Sequence, residues 1–94
     1  VKLRWTPLAV DHLKAAYEYI ASNSPTSAER VIQRILSAVE LLQQHPDLGR
    51  SGRVKGTREL IILGTPFLVP YRLRHEQIEI LAVFHASRCW PSGF

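Results

Sequence analysis

The chain has 94 residues, a formal charge of +4, 46% hydrophobic and 21% charged side chains, and one cysteine. A chain of this size buries roughly 60–70% of its unfolded surface, which predicts a single domain over residues 1–94 with one modest core. A membrane-spanning helix is excluded because no apolar run approaches about 18 residues, and an internal disulfide is excluded because Cys89 is alone.

Lys2 to Trp5 alternates polar and apolar residues and reads as a short strand. Thr6-Pro7 then opens a helix over residues 7 to 22, with a hydroxyl at the N-cap and proline at the first helical position. Its inward stripe is Ala9, Leu13, Ala16, Tyr17 and Ile20. Ser22-Asn23-Ser24-Pro25 breaks the chain, and either Thr26 or Ser24 can cap the helix that follows. That helix runs to about Gln44 with Ala28, Val31, Ile32, Ile35, Val39 and Leu42 on one side, and His45-Pro46 stops it. Two amphipathic helices joined by about four residues make a helical hairpin with one shared apolar side.

Three strand candidates follow: Arg58 to Leu63, Phe67 to Arg74, and Gln77 to His85. Gly64-Thr65-Pro66 makes the first link and His75-Glu76 the second, without the Asn-Gly signature of the favoured hairpin turns. In the second strand Phe67, Val69, Tyr71 and Leu73 share one face, with Tyr71 expected in the core. Pro70 cannot donate to a ladder and belongs at a bulge or an unpaired position. In the third strand strict alternation puts His85 on the face of Glu79, opposite Ile78 and Ile80. The order β-α-α-β-β-β predicts an α+β fold, a mainly antiparallel sheet with the helical hairpin on one face. Arg72 and His85 then project from the other face.

Charge is divided along the chain. Residues 1–49 balance at five basic and five acidic side chains, whereas seven basic residues stand against three acidic ones from Arg50 onward. A cationic surface on a rigid sheet suits an acidic partner such as a nucleic acid or an acidic protein. The four histidines lack metal-ligand spacing, and no glycine-rich phosphate loop or GxSxG elbow is present, so neither a metal nor another cofactor is expected. The N-terminal stretch lacks the apolar core of a signal peptide, and with the lone Cys89 this predicts a cytoplasmic protein.

Taken in order, these residues resemble the RelE/ParE superfamily of bacterial type II toxins. The resemblance is carried by Trp5-Thr6, Ala9 with Leu13, Tyr19-Ile20, and His45-Pro46 through Gly49-Arg50. It continues in G-T-R-E-L from Gly56, T-P-F-L-V-P-Y-R from Thr65, and I-E-I-L-A-V-F-H-A-S-R-C-W-P ending at Pro91. It implies a RelE/ParE-like fold and a growth-inhibiting toxin neutralised by a cognate antitoxin whose C-terminal segment wraps around it as it orders. It also implies one of two targets. RelE-like members cut messenger RNA on the ribosome without metal, and ParE-like members poison DNA gyrase through protein contact.

Metal-free RNA cleavage needs a base for the 2′-hydroxyl, cations for the phosphate charge and an acid for the leaving oxygen. On the RelE-like reading His85 is the acid or base, and Arg58, Arg72 and Arg88 supply cations. For contact with target or antitoxin the candidates are Arg53, Lys55, Arg58, Arg72, Arg88 and Trp90. The structural alternatives are an Arg58–Glu79 cross-strand pair, His85 capping the last strand, and Trp90 packing on the helical hairpin. No tyrosine follows Tyr71, which departs from the RelE pattern and favours the ParE-like reading. RNA cleavage is the alternative, and an inactive antitoxin-binding module is a third.

Overall fold

The computed structural model describes residues 1–87. Strand β1 (Lys2–Trp5) leads into helix α1 (Pro7–Ala21), then α2 (Pro25–Glu40) and a 3-10 turn (Leu41–Gln43). Strands β2 (Arg50–Ser51), β3 (Arg58–Ile61), β4 (Phe67–Arg74), β5 (Gln77–Ile80) and β6 (Phe84–His85) complete the order. The architecture is α+β, with two helices packed on one mixed, mostly antiparallel sheet of order β1-β5-β4-β3-β2, in which β6 also pairs with β4.

Both helices begin where their caps dictate. The Thr6 hydroxyl accepts from the Ala9 amide at 3.2 Å and donates to the Ile80 carbonyl at 2.7 Å, so one side chain caps α1 and ties it to β5. Of the two caps available to α2 the chain uses Ser24, whose hydroxyl accepts from the Ser27 amide. Ile35, Val39 and Leu42 from α2 meet Leu60, Val69, Tyr71, Ile78 and Ile80 from the sheet to form the core. Tyr17, expected on the inward stripe of α1, is 38% exposed.

Strand β1 enters the sheet parallel to β5, pairing Leu3 with Ile78, and every other pairing is antiparallel. Strand β2 is an addition that two residues gave no periodicity to reveal. The turn His75-Glu76 is a two-residue hairpin in which both residues have positive φ, 51° and 60°. That is the mirror-image turn geometry that matches strand twist, reached here without glycine or asparagine.

The expected strand 77–85 is broken. Tyr71 pairs with Ile80 and Phe67 with His85, so four steps along β4 face five on the other chain segment. One extra residue is therefore inserted between β5 and β6, which is a β-bulge. Pro70 sits beside it. Its carbonyl accepts from the Leu81 amide at 2.9 Å, and the amide hydrogen it lacks falls at the end of the regular ladder, as its chemistry requires.

The segment between α2 and β2 is pinned to the sheet by one buried phenol. The Tyr71 hydroxyl donates to the Pro46 carbonyl and accepts from the Gly49 amide, both at 2.8 Å. Burial raises the Tyr71 pKa above its ordinary value, opposed by the Gly49 hydrogen bond and by the nearby Arg58 charge. Gly49 is required for this approach, because a Cβ there would lie 2.7 Å from the Tyr71 ring and 2.9 Å from the Glu59 carbonyl. Tyr71→Phe keeps the ring and strands the buried Gly49 donor and the part-buried Pro46 acceptor, so it should cost about 1–3 kcal/mol. A lowered midpoint in urea denaturation checks this, and an unchanged midpoint would show that the clasp is energetically idle.

Candidate functional site

The cationic side chains do not gather on one face. Cross-strand partners share a face, so Arg72 opposite Glu79 lies on the side away from the helices, and Arg58 opposite Tyr71 lies on the helix side. Arg58 donates to the carbonyls of Gly49 at 2.7 Å and Asp47 at 3.3 Å, which makes it a brace for the loop held by Tyr71. The expected Arg58–Glu79 pair does not form, because β4 separates their strands and Arg58 lines up through Tyr71 with Ile80, leaving Glu79 on the opposite face.

Glu79 instead receives Arg72 at 2.6 Å and Arg4 at 3.2 Å. The Arg72 hydrogen bond is the main reason its pKa is lowered from 4.5, with the charges of Arg72, Arg4 and Arg74 adding to it against partial desolvation. Arg72, expected to project free from an open face, is thus matched by the molecule's own carboxylate.

A second carboxylate organises the basic loop. Glu59 is only 1% exposed, yet it accepts from the Arg50 guanidinium at 3.1 Å and from the Arg53 amide at 2.7 Å. Both bonds turn the 50–57 segment back over the sheet, with the side chains of Arg53 and Lys55 on its exposed side. Glu59 is part of the G-T-R-E-L motif, but that motif assigns it no role. Its only signal is a carboxylate flanked by Arg58 and Leu60 in a strand, which reads equally well as a solvated charge.

His85 is the largest displacement from expectation. The inserted residue reverses the alternation, so His85 faces the same side as its partner Phe67, 5.6 Å away edge-on, and not the side of Arg72. Its Nδ1 lies 2.7 Å from the Ser87 hydroxyl. Along β4 it is five residues from Arg72, about 17 Å at the usual strand rise. Arg88, Cys89 and Trp90 lie outside the described residues.

The face away from the helices is not bare either, since Leu68, Pro70 and Leu81 are buried there. A groove of about 700 Å³ lies between α2 and the outer edge of β3. Leu41, Leu48, Ile61 and Leu63 are among its walls and are 51%, 50%, 46% and 80% exposed. Arg30, Arg34 and Arg50 line it too. In the sequence Leu60 to Leu63 reads as ordinary strand, with no sign that β2 pairs only with Arg58 and Glu59 and that Ile61 has no strand neighbour on that side among the described residues.

The family model described as ParE toxin of type II toxin-antitoxin system, parDE, matches residues 3–90. The chain is 42% identical over 90 residues to protein Y4kP of Sinorhizobium fredii, covering 96% of this chain and 93% of that one. It is 31% identical to Toxin RelE2 of Caulobacter vibrioides across 89% of this chain and 93% of the relative. A solved structure titled as the chromosomal ParDE TA system from P. aeruginosa superposes with a TM-score of 0.82 at 33% identity. That match covers 90% of this chain and 95% of that one.

The Glu79 shift has a defined sign. A carboxylate whose folded pKa is depressed adds stability that is present above its unfolded value near 4.5 and is lost as pH falls through the folded value. The urea midpoint of the wild type should therefore drop as pH is lowered from about 5 toward about 3. In Glu79→Gln that part of the drop should disappear. Parallel acid limbs for the two proteins would mean that the Arg72–Glu79–Arg4 cluster contributes nothing.

Proposed function

Because the chain belongs to the ParE toxin family of type II toxin-antitoxin systems, we propose that it arrests growth by binding DNA gyrase in the cytoplasm, and that a cognate antitoxin holds it in check. The observation that supports protein contact over RNA cleavage is the dispersal of the groups that cleavage would need. A general acid or base and its cations must converge within hydrogen-bond reach of one scissile phosphate. Here Arg58 and Arg72 occupy opposite faces, and Arg72 is matched by Glu79. His85 stands about 17 Å along the sheet from Arg72.

A surface that acts by contact has no need for convergence. The exposed Arg53 and Lys55, held out on a segment anchored by Glu59, supply the positive potential that draws an acidic surface or steers an encounter near DNA. On this reading Arg58 acts as a positioning residue for the loop at Pro46–Gly49, and its loss should weaken function through that loop.

Two Caulobacter relatives carry the RelE name, so messenger cleavage is the competing outcome of the test. Purified toxin added to gyrase and relaxed plasmid should block supercoiling or trap a DNA cleavage complex, and His85→Ala should do so equally well. If gyrase is unaffected while induction in cells yields codon-register breaks that His85→Ala abolishes, the contact mechanism is wrong. Unimpeded growth on expression without antitoxin would reduce the chain to a binding module.

A further inference from the structure

The cations that the sequence groups together are dispersed, yet Arg72 belongs to another cluster that strand register assembles. Lys2 on β1 lies opposite Gln77 on β5, and Gln77 opposite Arg74 on β4. In the next row Arg4 lies opposite Glu79, and Glu79 opposite Arg72. Cross-strand partners share a face and so do residues two apart, so all six side chains project from the side away from the helices. The rows are about 6.6 Å apart along the strands, and each spans about 9.6 Å across them.

Glu79 organises one row. It receives Arg4 on one oxygen and Arg72 on the other, through Nη1 of Arg4 and Nε of Arg72. Both guanidiniums are thereby held in place with further N–H donors to spare. Lys2 and Arg74 are exposed, and among the described residues neither forms an ion pair, with Glu76 of the adjoining turn or with any other carboxylate.

The composition of this grid describes its occupant. Four cations around one carboxylate ask for a partner with several negative charges at short intervals. Guanidinium and ammonium donors suit phosphate oxygens. None of the six positions carries an apolar or aromatic side chain. A protein partner would want an apolar centre to its interface, and a single-stranded nucleic acid would want rings on which to stack its bases. A duplex backbone asks only for charge and hydrogen-bond donors.

We propose that this sheet face binds the phosphate backbone of duplex DNA, with Lys2 and Arg74 contacting phosphates from one row and Arg4 and Arg72 from the other. The contact has no sequence preference, because phosphates carry no sequence information. It adds a second contact to the one with gyrase. The choice of DNA rests on the gyrase reading, since a toxin that engages gyrase does so beside the enzyme's DNA.

The test titrates the full chain into a short labelled DNA duplex of arbitrary sequence at several salt concentrations. The logarithm of affinity should fall against the logarithm of salt with a slope of about −3. Lys2→Ala and Arg74→Ala should each weaken binding severalfold and make that slope shallower by about one. Lys14→Ala removes the same charge from an exposed position on α1 and should leave the slope as it is. An unchanged urea midpoint shows that each variant folds. If the wild type does not bind at low salt, or if Lys2→Ala and Arg74→Ala bind as it does, the proposal fails. It fails equally if all three variants are weakened alike, because net charge and not the grid would then be at work. Tighter binding of single-stranded RNA, or displacement of DNA by a polyglutamate peptide of equal charge, would give the face to a different partner. A toxin that binds DNA through the grid and leaves gyrase unaffected would defeat the gyrase reading and uphold this contact.

Discussion

One hydroxyl decides how the two halves of this chain meet. Tyr71 stands at the centre of the sheet, and its phenol reaches out of the core to the carbonyl of Pro46 and the amide of Gly49. Thr6 ties the start of the helical hairpin to β5, but apolar packing is not directional and does not by itself fix where the hairpin ends. The clasp fixes where the chain leaves α2 and where β2 begins. Arg58 locks the same loop from outside through the Asp47 and Gly49 carbonyls. The His45-Pro46 and Gly49-Arg50 pieces that looked like a family signature are therefore the receptor for a buried phenol. The groove beside β3, whose walls include Leu48 and Gly49, takes its shape from that receptor.

The helices were legible in the sequence because their signals are local. Thr6-Pro7 and Ser24-Pro25 are caps with proline at the first helical position, and the 3.6-residue stripe of α2 is complete. The core strands were legible by alternation. What could not be read was a change of register. A single inserted residue after Leu81 leaves hydrophobicity almost unaltered, since Leu81, Ala82 and Val83 are all apolar and all buried. It nevertheless carries His85 to the other side of the sheet. Pro70 was the one clue, marking the position where the ladder fails without saying how many residues are added there.

The positive surplus was legible as a count and misleading as a map. Seven basic residues follow position 49, yet Arg50 and Arg72 each answer a carboxylate of the same sheet face, and Arg58 answers carbonyls. Side-chain direction separates them further. Cross-strand neighbours share a face and sequence neighbours do not, so a cluster in sequence becomes two sets on opposite sides. Further cationic side chains sit along the margins, with Arg53 and Lys55 exposed on the 50–57 segment and Arg30 and Arg34 lining the groove beside α2.

An exposed strand edge beside half-exposed leucines is a hazard for a free chain, because it templates pairing with any extended segment. Proteins usually blunt such an edge with charge, a bulge or a covering loop. Here the bulge lies on the other side of β4, β2 covers two positions, and among the described residues the arginines flank the edge without closing it. Those arginines would set like charges against each other if a second copy of the same chain paired there. Arg34, bound to the Leu63 carbonyl, closes the edge toward the Gly64 turn, where its guanidinium occupies the space a Cβ would need. The edge is thus restricted in partner and in length.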